Sequence, residues 1–533
     1  MNNYEFWIDA LARKVNENFP KEKIIHLSCG LSIRGPQHIG RIRGELCIPN
    51  GVKKVLEEKF GRKAIHYIVL YDMDPLKEKA AKLGFKDPEK QKKYAGVSLF
   101  NIEDPFGCHE NWQEHFWEDF GNYLKDFGFD VEIVKTSEFY RMKETKELIK
   151  WILENREKVI EVVNKFRGRN PWPPNFIPIN PICEECLTIT DTEATGFDLD
   201  NYTVDYKCLR CGHKGTTSLE NAKLNWRLEW PALWKILHIE FEPYGKDHAA
   251  AGGSRETCGY FSEVLFNYKP PLGEWNEWVS LKLHGKFLGE MTASGFIGIT
   301  PKEWLEIAEP EILKYLYIST RPHTAITIDL DNLPVYYERY DEAERIYFGI
   351  EKIEDQRKLF NTKRAYELAQ VKGIGKYIQK LPFTLACTLA QVFNVREEKG
   401  MKKALEILKK KGFSKEALEY ARRRLIRALN WIEKYAPERF KLKVLEDVSK
   451  VRDSISKTQR KCLKRLSKVI KEMKKEDDFW TGIRKICEEE EIELKELFKA
   501  IYLVLIGKEE GPRFINLIES LGKEFIARRF EEI

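Results

Sequence analysis

The sequence predicts an α/β chain in which a parallel-sheet domain, interrupted by a four-cysteine insertion, is followed by an all-α domain. Three observations carry this reading. Two short apolar runs with a helical pattern between them open the chain, two CxxC pairs follow a proline-rich stretch, and strand signal nearly vanishes after about residue 350.

The elements follow in order. The opening MNNYEFWIDALARKV lacks the basic-then-apolar plan of a signal peptide and reads as an amphipathic helix. Lys23–Cys29 is short and apolar enough for a buried strand; a turn rich in glycine, GLSIRGPQHIGRIRGE (30–45), follows it, and helical spacing runs from Arg41 to Phe60. Ala64–Tyr71 is a second buried strand ending at Asp72-Met-Asp74, and this βαβ order argues for a parallel sheet with ligands at its C-terminal edge. Helical patterns cover Trp112–Phe127 and Thr145–Phe166, with a strand at Asp130–Val134 between them. The proline-rich PWPPNFIPINPIC (171–183) introduces an insertion over 171–222. Ala417–Tyr435, Val451–Lys475 and Leu494–Ile506 read as amphipathic helices. The expected division is 1–345 for the sheet domain and 346–533 for the helical one.

At 533 residues the chain has room for two to four domains, and no apolar run is long enough to cross a bilayer. Ninety Lys and Arg against 84 Asp and Glu leave +6, too little to diagnose nucleic-acid binding without regard to distribution. Two helical segments, Ala421–Arg427 and Lys457–Lys468, do concentrate cations. Seven of the eleven cysteines are scattered, which suits a reducing cytoplasm better than a disulfide framework.

Cys183-x-x-Cys186 and Cys208-x-x-Cys211, 21 residues apart, match a tetrahedral Zn²⁺ site, each pair offering two thiolates from one tight turn. Four cysteines leave no open position for water, so the expected zinc is structural. His213 could compete as a ligand and is expected to be exposed.

Nucleotide motifs are sparse. No Gly-Lys pair is followed by Ser or Thr, which excludes a P-loop, and no GxGxxG follows the first strand. What remains is Pro36-Gln-His38-Ile-Gly40 at a strand-to-helix switch, where amides and an imidazole can meet phosphate oxygens. Asp72 and Asp74 are candidates from their strand-end position alone, with helix capping or a turn as the other reading.

The chain resembles the class I lysyl-tRNA synthetases, the mainly archaeal form of that enzyme. The resemblance spans nearly the whole length and is carried by DPFGCHE (104–110), YKC (206–208), KLNWRLEWP (223–231), FEPYGKDH (241–248), RIYFGIE (345–351), KYAPE (434–438) and GKEEGPR (507–513). It implies a Rossmann-like catalytic domain with a four-cysteine zinc insertion, followed by an all-α anticodon-binding domain. It makes His38-Ile-Gly40 the HIGH signature, whose histidine and backbone stabilise charge on ATP; Arg41 stands where the family usually has Asn. Gly30, Ser32, Trp226 and His248 would line the amino-acid and adenylate pocket, with Asp247 beside them. The second signature, close to KMSGSK in these enzymes, aligns with Glu290-Met-Thr-Ala-Ser-Gly295, so Met291 and Ser294 are retained and both lysines are gone. Lys282 and Lys286 lie just upstream, and Lys286 is the candidate replacement. Asn276 falls where the family has an aromatic residue framing the lysine pocket.

The implied activity is lysine–tRNA ligation: ATP with Mg²⁺ activates lysine, and the aminoacyl group passes to tRNA, whose anticodon the helical domain holds. A cytoplasmic monomer, with no membrane association, is expected. Two alternatives stay open: a paralogue acting on another amino acid or acceptor, suggested by Asn276 and Arg41, and a tRNA-binding protein with weak or no activation, suggested by the missing lysines.

Overall fold

The computed structural model describes residues 4–445 and 447–533; Met1–Asn3, the head of the predicted amphipathic helix, lie outside them. That helix, α1 (Trp7–Asn18), buries Ile8, Leu11, Ala12 and Val15. At the centre is β1 (Ile25–Leu31), paired in parallel with β2 (Ala64–Leu70) from Ile25↔Ala64 to Leu31↔Leu70. Beyond β2 lies β3 (Glu132–Lys135), and on the other side of β1 lies Ile239–Phe241, both parallel. The chain therefore leaves β1 towards β2 and returns much later on the opposite flank. That reversal puts a crevice at the C-terminal end of β1, where parallel sheets bind ligands.

The β1–β2 crossover is not the single helix that its spacing predicts. Ile42–Cys47 winds as a π-helix, and only then does α2 (Ile48–Phe60) begin. Pro49 supplies a reason: it has no N–H to return to the Glu45 carbonyl, so the α-ladder is broken at this junction. α2 buries Val52, Val55 and Leu56 and ends at Gly61, whose φ of +62° lets its N–H reach the Leu56 carbonyl. After β2 a short helix, α3 (Glu78–Gly84), packs against the turn Ala293–Gly295. The predicted helix at Trp112–Phe127 stops at Gly121, and the one at Thr145–Phe166 breaks at Asn155.

The cysteine segment is a three-stranded antiparallel ribbon, Thr192–Asp198, Thr203–Cys208 and Lys214–Ser218. Its base is tied where Ile179–Pro181 pairs with Ala222–Leu224. A further sheet joins Val279–Leu283 to Lys286–Glu290 in a hairpin and to Ile326–Asp329 in parallel. From Leu333 onward the described residues are helical, with Leu494–Ile506 matching its predicted bounds.

One apolar core runs from Phe6 to Ala436, so the helices following the last strand share the core of the sheet rather than building their own. Residues 448–533 form a separate core. The Ala421–Arg427 run is also not a uniform cationic surface. Arg424 is fully buried, bonded to both Asp341 oxygens at 2.6 and 3.0 Å, and Arg427 lies 3.3 Å from Glu309. Of this run only Arg423 is exposed, and Arg422 is half-buried. No helix among the described residues is long and apolar enough to cross a membrane.

Candidate active site

The turn after β1 opens into a cavity of about 680 Å³. A second of about 660 Å³ adjoins it, sharing Gly30, Arg41, Tyr71, Trp226, Asp247 and His248. His38, Gly40, Asn276 and Met291 line the first, and Ser32 and Asp74 the second. Residues as far apart in the chain as Gly30 and Met291 thus meet at one sheet edge.

The glycines act through space. A Cβ on Gly30 would sit 2.6 Å from the Tyr71 ring, and one on Gly40 would sit 2.9 Å from His38 Nδ1. A Cβ on Gly44, in the π-turn, would fall 2.5 Å from Asn276 Oδ1, so Asn276 rests on bare backbone. His38 is buried and its Nδ1 has no protein partner. Burial, assisted by the charge of Arg41, lowers its pKa to about 3, so the imidazole is neutral. It can donate or accept a hydrogen bond at a phosphate, but it brings no charge of its own.

Trp226 stacks on Trp230 with centroids 5.0 Å apart, and His248 closes on both rings at 5.6 and 5.3 Å. Behind this wall Glu242 accepts from Ser28 Oγ at 2.9 Å, Trp230 Nε1 at 3.0 Å and Trp234 Nε1 at 2.6 Å. Glu45 also lines the cavity, with burial raising its pKa against the pull of Arg41, 2.7 Å away. Below the second cavity Lys223 bonds Glu229 and lies 3.1 Å from Asp74, which Arg34 holds at 2.7 Å. Glu242, Lys223, Glu229 and Arg34 escaped the sequence reading as site residues, although three of the four sit inside the quoted blocks KLNWRLEWP and FEPYGKDH.

Four residues singled out in the sequence stand elsewhere. Asp72 is buried and consumed as a cap: it accepts from Thr136 Oγ1 at 2.7 Å, from the Ser137 amide at 2.8 Å and from the Ser137 hydroxyl. The capping alternative therefore holds for Asp72, while Asp74 faces the cavity. Lys286 is exposed at the hairpin turn, five extended residues or roughly 16 Å of strand from Met291. Lys282 is held by Asp329 at 2.9 Å. Ser294 lies within the Ala293–Gly295 turn, its hydroxyl 3.3 Å from that of Thr292, and it does not line the cavity.

The four predicted cysteines converge. Their sulfurs lie within 4.8 Å of one another, with Cys183 to Cys211 and Cys186 to Cys208 both at 3.6 Å. A tetrahedral Zn²⁺ with about 2.3 Å bonds needs sulfurs about 3.8 Å apart, so the set fits the ion. His213 is half-buried against Tyr206 rather than exposed. A second donor set was not anticipated: Asp104, Cys108, His109 and His115 also lie within 4.8 Å of one another. Cys108 Sγ is 3.2 Å from each histidine Nδ1, and Asp104 Oδ1 is 3.2 Å from His115. Glu118 is 3.3 Å from the other nitrogen of His109, as an orienting carboxylate would be. The signal was present as a dense Asp, Cys and His run, but His115 lies outside the block that attracted notice.

The family described as "tRNA synthetases class I (K)" matches residues 5–372, and "Anticodon binding domain" matches 432–533. The lysine–tRNA ligase of Aeropyrum pernix is 35% identical over 99% of this chain and 97% of its own. Those of Methanocaldococcus jannaschii and Pyrococcus horikoshii are 30% and 31% identical, each over 98% of this chain and 99% and 98% of their own. With a family match over more than half its length and full-length relatives at this identity, the chain belongs to the class I lysyl-tRNA synthetase family.

Proposed function

We propose that the chain is a lysine–tRNA ligase, activating lysine with ATP and passing it to tRNA. The observation that carries this is the pairing, in one cavity at the β1 switch point, of the His38–Gly40 turn with an acidic wall. Glu242, Glu45 and Asp247 give a cationic side chain complementary charge, and the Trp226–Trp230 stack offers its methylenes an apolar flank.

In the first step a carboxylate oxygen of lysine bonds to the α-phosphorus of ATP, and the bond to the α,β-bridging oxygen breaks. Positioning and charge stabilisation supply the rate. His38 donates to a phosphate oxygen, Gly40 lets the phosphates approach the backbone, and Gly30 and Ser32 flank the reacting carboxylate. Trp226 and His248 shield the adenylate from water, with Asp247 beside them and Asn276 and Met291 closing the wall. Mg²⁺ would arrive with ATP, neutralising its phosphates. Zn²⁺ would be held by Cys183, Cys186, Cys208 and Cys211, and by Asp104, Cys108, His109 and His115, tying loops rather than taking part in the reaction.

The helices after residue 345 serve as the tRNA-binding part. The region 448–533, which has its own core, is the anticodon-binding unit, and outward cations such as Lys464 and Lys468 meet phosphates. Monomeric state and a cytoplasmic setting belong to the same reading.

Lysine-dependent exchange of pyrophosphate into ATP, followed by lysine charging of tRNA, tests the proposal. Exchange with another amino acid only would favour the divergent-paralogue reading, which the placement of Asn276 over Gly44 supports. Silence with every amino acid would favour a tRNA-binding role.

A further inference from the structure

The turn Glu290–Gly295 brings no cation to the cavity. Glu290 lines it with a carboxylate, 3.8 Å from Lys246, and Lys246 is itself bonded to Glu277 at 2.9 Å. Neutral His38 cannot supply the missing charge. Among the described residues, only Arg41 and Lys77 carry lysine or arginine charge into the walls of this cavity. Arg41 is engaged by Glu45 at 2.7 Å.

Lys77 directly precedes α3, is exposed, and forms no ion pair with any described residue. Desolvation at the cavity wall, then the charge of Arg34, with a smaller push from Arg41 and against the pull of Asp74, lowers its pKa from the ordinary lysine value. A polyanion bound here would offset both the desolvation and the repulsion from these two arginines. Two residues on, Lys79 reaches the turn itself, its Nζ 3.2 Å from where a Cβ on Gly295 would lie. The helix that carries one lysine to the cavity therefore lays a second along the turn that has lost its own.

We propose that Lys77 is a catalytic residue of amino-acid activation, its ammonium meeting the pyrophosphate in place of the absent turn lysines, while Lys79 steadies the turn. The proposal rests on the activation reading above. As the α-phosphorus gains the amino acid's carboxylate oxygen, it loses the α,β-bridging oxygen, which keeps the electron pair. Lys77 pairs with the charge that develops there; no proton transfer and no redox partner is required.

The test is lysine-dependent ATP–pyrophosphate exchange by the full chain, comparing wild type, Lys77→Met, Lys77→Arg and the exposed-surface control Lys82→Met. Lys77→Met is expected to lower kcat about 100-fold and raise the KM for pyrophosphate, with the KM for lysine changed less than about twofold. Lys77→Arg should stay within about tenfold of wild type, Lys82→Met should match it, and all should unfold at the wild-type temperature. Wild type exchanging normally while Lys77→Met stays within about threefold overturns this proposal alone. So does a loss that appears only in the KM for lysine, which would place Lys77 on the amino acid. A wild-type chain that exchanges with no amino acid overturns the underlying activation reading as well.

Discussion

Replacing Lys223 with methionine isolates the charge network beneath the active site. Lys223 is 7% exposed and stands between Glu229, which is fully buried, and Asp74 at 3.1 Å, with its ammonium 5.5 Å from the Tyr71 ring. Methionine keeps the volume and removes the charge. Glu229 is then left with the Tyr140 hydroxyl at 2.7 Å, and Asp74 with Arg34 at 2.7 Å. Breaking a buried pair from one side costs about 3–5 kcal/mol, and the surviving Arg34 contact puts the expectation near 3 kcal/mol at pH 7. Removing both charges in Lys223→Met/Glu229→Gln should recover most of that loss, because no bare carboxylate is left at Glu229. The pH dependence has a definite sign. Burial opposes ionisation of Asp74, but Lys223 and Arg34 win and hold its pKa below the usual carboxylate value. Its contribution in wild type is present above the unfolded pKa and lost as pH falls below it. In the variant Glu229, already raised by burial, loses the Lys223 charge that lowers it and rises further, so the deficit against wild type shrinks as pH falls. Urea unfolding of the catalytic part at pH 7 and below measures this. A single-variant loss under about 1 kcal/mol, or a double variant no more stable than the single, would refute it.

Other consequences are open to direct measurement. Purified chain should hold two zinc equivalents by plasma mass spectrometry; Cys183→Ser should remove one and His115→Ala the other, with folded Cys183→Ser protein still activating lysine. One equivalent, indifferent to His115, would count against the second site. Because burial holds His38 near a pKa of 3, kcat/KM for ATP should show no limb near pH 6.5 belonging to it; an inflection there that vanishes in His38→Gln would contradict a neutral imidazole. The same shift makes neutral His38 stabilising above its unfolded pKa of about 6.5, with that stability lost as pH falls towards 3, so His38→Gln should flatten the acid side of a Tm profile. Gly44→Ala places a methyl 2.5 Å from Asn276 Oδ1 and should raise the KM for lysine about tenfold while moving that for ATP little; equal changes in both would show that the two residues do not shape the amino-acid side.

The parallel sheet was legible because β1 and β2 are apolar runs bounded by turn signals, a pattern that needs no tertiary knowledge. The four-cysteine cluster was legible because each Cys-x-x-Cys pair is local. What failed was anything decided by which way a side chain turns. Asp72 and Asp74 are two residues apart at one strand end, yet one caps a helix across the sheet and the other faces the cavity. Cations at Arg424 and Arg427 look like a phosphate-binding run until the carboxylates of Asp341 and Glu309 arrive from elsewhere in the chain. Lys77 carries no local mark at all. It stands out only because the fold brings it to the wall of the same cavity as His38 and Glu290.

The π-turn at Ile42–Cys47 has a consequence for how this cavity can change over generations. A helix turn of this kind is an α-turn with one residue added, and each residue of an α-helix advances about 100°. Deleting one residue between 42 and 47 would heal the pitch without rotating the buried stripe of α2 or uprooting His38. The side chains in between, Gly44 and Glu45 among them, would be re-aimed together. The same stretch also buries Ile42, Leu46 and Cys47 in the main core, so a single-codon loss would re-aim the cavity-lining side chains and repack that part of the core together.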